Sequence, residues 1–185
     1  MTIYQWVVLV WVGSELLIGV THLAPVAALR QDRLSGPVLI VFLLAALWLG
    51  MIVARRDPAS EIVAGRALVY SLGIAFALAG IALRWYAVIT LGPFFTTRVM
   101  TSPDQKVVAD GPYRFVRHPS YTGMLLTVLG ILLCSGNWLS LACFLIALPG
   151  FAYRIRVEER ALTTALGDPY RDYMLHTKRL VPFVV

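Results

Sequence analysis

The sequence predicts an all-α integral membrane protein with about five transmembrane helices, the last two forming a short helical hairpin. Composition is the first reason. Of 185 residues, 59% are hydrophobic and 14% charged, with a mean hydropathy of +0.76, whereas a soluble domain carries about 25% charged residues. The second reason is pattern: the apolar residues gather into five runs separated by polar loops. The length suits a single domain over 1–185, with two N-terminal spans in 1–66 and a core in 67–185.

The first run, Ile3 to Leu23, has no basic leader and is too long for the apolar part of a signal peptide. It reads as a span. The second, Gly36 to Ala54, is stopped by Arg55-Arg56-Asp57-Pro58, and the third runs from Ala67 to about Ile89. Each matches the roughly 20 residues that cross a ~30 Å hydrocarbon core. The fourth, Tyr121 to Cys134, has fourteen residues, and the fifth, Trp138 to Tyr153, has sixteen. Ser135-Gly136-Asn137 between them makes a tight hairpin with short arms.

Lysine and arginine set the orientation. With the N-terminus outside and five crossings, thirteen basic residues fall inside and three, Arg55, Arg56 and Arg66, outside. This count takes Arg84 with the long third loop. That loop and the C-terminal tail then share the cytoplasmic face. The bias and the compact size point to a bacterial inner membrane. The net charge of +6 is therefore juxtamembrane charge, and no nucleic-acid partner is expected. Cys134 and Cys143 lie in apolar runs and read as small interior residues; their spacing fits no metal site.

In the third loop, Thr96 to Met100, Ser102-Pro103-Asp104 and Lys106 to Val108 suggest a small β-hairpin. In the tail, one helix is expected to end at Leu166 before Gly167, with Asp168 as N-cap of a short helix from Pro169 to His176.

Two polar clusters flank the last hairpin. The first is Gly111-Pro112-Tyr113-Arg114-Phe115-Val116-Arg117-His118-Pro119-Ser120-Tyr121. Pro119 suits a first helical turn and keeps His118 out of the α region, so Arg117 and His118 approach a helix N-terminus, which favours anions. Interfacial anchoring by Arg117, Tyr113 and Tyr121 explains the same residues without function. The second cluster is Tyr153-Arg154-Ile155-Arg156-Val157-Glu158-Glu159. Arg154 and Glu158 share a helix face. They are either an exposed salt bridge or a unit in which Glu158 orients Arg154 toward an anionic substrate. Glu15 and His22, seven apart in the first span, read as helix–helix glue, as an oligomer contact, or as residues with a substrate or proton-relay role. Trp85 and Tyr86 read as belt aromatics or a platform for a base. No glycine-rich nucleotide fingerprint, phosphate loop or His/Cys metal cluster occurs.

Together, Gly111-Pro112-Tyr113, Arg117-His118-Pro119-x-Tyr121-x-Gly123, Arg154-x-x-x-Glu158-Glu159-x-x-Leu162, Gly167-x-x-Tyr170-x-x-Tyr173 and Arg179-Leu180-x-Pro182 resemble the isoprenylcysteine carboxyl methyltransferase family, whose wider relatives are phospholipid methyltransferases. The likeness runs from about Leu83 to Pro182; the first two spans carry no such motif. It implies a membrane O-methyltransferase using S-adenosylmethionine, with S-adenosylhomocysteine as product, and a cytoplasmic cofactor pocket in residues 67–185. It implies cofactor contacts at Tyr113, Val116, His118 and Tyr121, with Glu159, Tyr170, Tyr173 and Arg179 closing the pocket. Catalytic or substrate-orienting roles fall to Arg117, Arg154 and Glu158, and no metal is implied. The acceptor implied is lipophilic or prenylated, a prenylcysteine-type carboxylate; a polyketide-derived alkylpyrone or alkylresorcinol hydroxyl is the alternative. Readings from other classes are a small transporter with Glu15 and His22 on a polar path, or a non-catalytic scaffold. Membrane lipids are the surrounding partners, and a homo-oligomer is left open.

Overall fold

The computed structural model describes residues 2–22, 29–30, 32, 34–97, 100–101 and 106–181. Helix α1, Ile3–Thr21, starts at a capping box: Thr2 Oγ1 accepts from the Gln5 amide, and the Gln5 side chain accepts from the Thr2 amide. Strand β1, Leu29–Arg30, precedes α2, Ser35–Arg56, whose first amides bond the Asp32 carboxylate. Helix α3 covers Arg66–Leu91. Strand β2, Met100–Thr101, pairs antiparallel with β1. Then follow α4, Pro119–Leu133, α5, Trp138–Ala142, α6, Phe144–Leu166, and α7, Asp168–His176.

Among the described residues, four helical stretches are long and apolar enough to cross a membrane: Ile3–Thr21, Ser35–Arg56, Arg66–Phe94 and Trp138–Leu166. Helix α4 has 15 residues, about 22 Å at 1.5 Å per residue, and is the short arm that its fourteen-residue apolar run predicts. Its partner is not short. The chain tightens once at Cys143, and the helix then continues well past the apolar run to Leu166. The protein is an integral membrane protein.

Glycine sets the closest contact. Helices α3 and α4 cross along Gly73 and Gly80 on one side and Gly123 and Gly130 on the other. A Cβ on Gly80 would stand 2.5 Å from the Gly123 carbonyl oxygen, and one on Gly130 would stand 2.5 Å from the Gly73 carbonyl oxygen. Helix α6 lies along α2, with Gly150 against Leu39 and Phe42. Trp11, Leu43, Ala46, Met124, Val128, Ala147 and Phe151 are among the residues of the core between these helices. The hairpin tip meets the α2–α3 loop at the far end, where Asn137 bonds the Asp57 carbonyl and Ile62 bonds the Gly136 carbonyl.

Three local expectations need correction. Met100–Thr101 pairs with Leu29–Arg30, not with Lys106–Val108, because the first loop reaches the same end of the bundle; the expected turn at Ser102-Pro103-Asp104, like Arg98 and Pro182, lies outside the described residues. Asp168 is the first residue of α7, and Gly167, at φ 61°, precedes it. Arg84 lies inside α3, seven residues before its end, and is buried.

Candidate active site

The N-terminus of α4 is built by its preceding loop and by the tail. Gly111–Arg114 forms a short turn that buries Pro112 and Tyr113. The chain then runs beside the tail: the Arg117 amide donates to the Lys178 carbonyl (2.7 Å) and the His118 amide to the Arg179 carbonyl (3.0 Å). Thr122 Oγ1 donates to the Leu180 carbonyl, 2.7 Å. The fork of Arg117 completes this clamp. Its Nε donates to Glu159 (2.9 Å), and its Nη1 donates to the carbonyls of Met174 (3.1 Å) and Thr177. Glu159, 6% exposed, also lies 3.4 Å from His118 Nε2 and accepts from Arg179 at 3.0 Å. One buried carboxylate thus ties the α4 entry to the tail.

A second network begins at Arg154, 5% exposed. Its Nε donates to Tyr121 Oη (3.1 Å), Nη1 to Ser35 Oγ (2.8 Å) and Nη2 to the Thr97 carbonyl (3.0 Å). Tyr121 Oη in turn donates to Glu158 at 2.6 Å. The expected direct Arg154–Glu158 bridge is therefore corrected. A one-turn offset on α6 lets the Tyr121 hydroxyl reach between them, accepting from the cation and donating to the anion. Tyr121 also stacks on His118, ring centroids 5.6 Å apart.

Both networks border a cavity of about 500 Å³, within the range of small-molecule sites. Its polar end is lined by Tyr113, His118, Tyr170 and Tyr173, and its apolar end by Trp11, Val12, Leu16, Leu39, Ile40 and Leu43. Arg117, Tyr121, Arg154 and Glu158 also line it. Val116, Glu159 and Arg179 do not: Val116 pairs with Lys178 behind the wall, and the other two belong to the tail clamp. Burial, with the Glu158 carboxylate behind it, pushes the Tyr113 and Tyr170 hydroxyls well up, and burial lifts that of Tyr173 to about 12. All three stay neutral at ordinary pH. The Tyr173 hydroxyl donates to the Tyr113 carbonyl at 2.6 Å, fixing α7 over the polar end.

Sequence reasoning missed Arg84. It lines the cavity, 7% exposed, bonded to Glu15 at 2.7 Å and to Ser120 Oγ at 2.6 Å. The signal was present: Glu15 is an acid at membrane depth and calls for a basic partner. Counting Arg84 as loop charge hid it. His22 does not join Glu15. It leaves the helical conformation at the end of α1 and meets the edge of Phe95. Ser35 and the Thr97 carbonyl carry no sequence signal.

The fold and cavity define a class, helical membrane proteins with a polar site sunk among their spans. Residues 73–164 match the family model of isoprenylcysteine carboxyl methyltransferase. The protein-S-isoprenylcysteine O-methyltransferase of Schizosaccharomyces pombe is 33% identical over 114 residues, 60% of this chain and 48% of that protein. Protein-S-isoprenylcysteine O-methyltransferase B of Arabidopsis thaliana is 34% identical over 119 residues, 62% of this chain and 59% of that protein. The solved structure of a eukaryotic intramembrane Ras methyltransferase, isoprenylcysteine carboxyl methyltransferase, aligns with a TM-score of 0.65 and 27% identity, covering 80% of this chain and 53% of that one. The chain belongs to the isoprenylcysteine carboxyl methyltransferase family. It spans about half of the length of the curated relatives it matches, from 48% to 59% for these two.

Proposed function

We propose that this chain transfers a methyl group from S-adenosylmethionine to a carboxylate oxygen of a lipophilic, prenylcysteine-type acceptor. One observation carries the reading: a single cavity has an aromatic, polar end and an apolar end, with two buried arginines, Arg84 and Arg154, lining it. The acceptor class also rests on the relatives' names.

The polar end suits the cofactor's chemistry. Tyr113, Tyr170 and Tyr173 offer neutral aromatic walls, and His118 offers a ring nitrogen beside the α4 entry. The bound cofactor supplies an electrophilic methyl group on a sulfonium, displaced in line. The protein's part is positioning and electrostatics. Arg154 donates at three positions, to Tyr121, Ser35 and Thr97, and Arg84 donates at two, to Ser120 and Glu15. A guanidinium has five N–H groups, so each keeps at least two for an anionic acceptor. A carboxylate acceptor is ionised at neutral pH and needs no base. Glu158, through Tyr121, holds Arg154 in place. Arg117 and Glu159 act on the tail and keep it closed over the cofactor, a positioning role for Arg117. The acceptor chain lies against α1 and α2 and enters from the bilayer, with the polar end on the cytoplasmic side.

Calorimetry with S-adenosylhomocysteine on the solubilised protein, before and after EDTA, tests the cofactor. Binding unaffected by chelation is expected; no binding sinks the reading. Methyl transfer is expected to an S-farnesyl cysteine analogue and not to an alkylresorcinol, and the reverse result would move the acceptor class. Orientation is tested by single cysteines at Leu175 and Val63, both exposed, with Cys134 and Cys143 replaced by Ser. An impermeant thiol reagent should label Val63→Cys in intact cells and Leu175→Cys only after lysis; the opposite pattern inverts the protein.

A further inference from the structure

The outer face of α6 carries a feature that methyl transfer does not use. Pro149, Tyr153, Arg156, Arg160 and Thr164 follow helical spacing along one exposed stripe. Its lower part belongs to the apolar run and faces lipid. Tyr153 stands at the run's end, where aromatic side chains sit at headgroup level. Arg156 and Arg160 come next, about 5 and 10 Å further along the axis at 1.5 Å per residue. They border a depression between α6, α7 and the tail, whose other walls include Thr163, Met174 and Arg179. The one carboxylate lining it, Glu159, is already held by Arg117, His118 and Arg179. Among the described residues, neither Arg156 nor Arg160 pairs with a carboxylate.

The geometry points to a phosphate-binding site for an anionic phospholipid headgroup, formed by Arg156 and Arg160 with Arg179 at its inner edge. Planar guanidinium forks suit phosphate oxygens. An exposed interfacial arginine without a partner gains most where the surface is anionic. The acyl chains would lie along the stripe below, past Tyr153 and Pro149. A headgroup, not a soluble phosphate, is the assigned source, because the stripe continues without a break from the lipid-facing surface into the depression.

The test uses the whole protein in nanodiscs of phosphatidylcholine containing a minor share of phosphatidylglycerol, and needs no enzymatic activity. Native mass spectrometry after release should show wild-type protein retaining phosphatidylglycerol above its share of the disc. Arg156→Gln/Arg160→Gln should lower that retention about tenfold, as expected for two lost charge-assisted contacts. Arg171→Gln removes an exposed arginine of α7 outside the depression and should retain the lipid like wild type. Unchanged S-adenosylhomocysteine affinity in the double variant would report intact folding. Equal retention in wild type and double variant overturns the site. Equal loss in Arg171→Gln reduces it to net charge and overturns it too. Saturation by inorganic phosphate without phosphatidylglycerol preference overturns the headgroup assignment.

Discussion

The two sides of the cavity are held by different physics. The side formed by α4, α6, α7 and the tail is a polar lattice: Glu159 gathers Arg117, His118 and Arg179, and Tyr121 bridges Arg154 and Glu158. The side formed by α1 and α2 is apolar; among the described residues it meets that lattice through Ser35 on Arg154, and through Glu15 on Arg84 of α3, which in turn bonds Ser120 of α4. The family match begins at residue 73, after both of these helices. The polar side fixes reacting groups in direction, which hydrogen bonds do well and apolar contact does poorly. The apolar side sets the width of a slot, which on the proposed reading decides which lipid fits. On the proposed reading, chemistry and acceptor choice thus reside in separable parts of one chain.

Substitutions at the joint of the polar side should have the largest effect. Arg154→Lys replaces a fork with a point charge that cannot serve Tyr121, Ser35 and Thr97 at once. We expect kcat/KM to fall about 10²- to 10³-fold, with a similar fall in Glu158→Gln and a double variant little worse than either. Near-normal turnover in Glu158→Gln would break the comparison, because the polar side would then be structural. The tail clamp comes next. Arg179→Gln removes one of three partners from a buried carboxylate, and S-adenosylhomocysteine affinity should drop about tenfold, with kcat at saturating cofactor nearly unchanged. A collapsed kcat at unchanged affinity would move Arg179 into the chemistry. The smallest effect belongs to the apolar side. Ile40→Trp narrows the slot, and acceptor KM should rise severalfold while S-adenosylhomocysteine affinity holds. An equal loss of cofactor affinity would show that the two sides do not separate.

Much of this was legible because polar residues in an apolar chain are conspicuous. Arg117, His118, Tyr121, Arg154 and Glu158 stood out against their surroundings, and all five line one cavity. Positions defined by a direction in space were not legible. Arg154 and Glu158 at i and i+4 suggest a bridge, but spacing says nothing of a tyrosine hydroxyl entering from another helix. Val116 and Glu159 neighbour cavity residues in sequence, yet they do not line it, and Arg179 lies in the tail that runs along the outside of residues 116–118. Arg84 shows the converse. It lies within the third apolar run, yet a charge count assigns an arginine near a span's end to the loop, whereas its Glu15 partner on another helix holds it inside α3. Gly123 and Gly130 lie within an apolar run and sit at the closest approach of α3 and α4, the use a glycine in such a run most often has.

The pairing of residues 116–118 with 178–179 bears on the order in which the protein matures. Translation releases all five apolar runs before the tail, so the bundle is threaded into the bilayer while its polar end still lacks a wall. The α4 entry gains its hydrogen-bond partners only when residues 174–180 have emerged and folded back across some sixty positions of chain. On the proposed reading, cofactor capture then waits for the tail. A nascent chain stalled at Gly167 would be inserted but unable to close over its ligand, and ligand-dependent protection from proteolysis would time the tail's arrival.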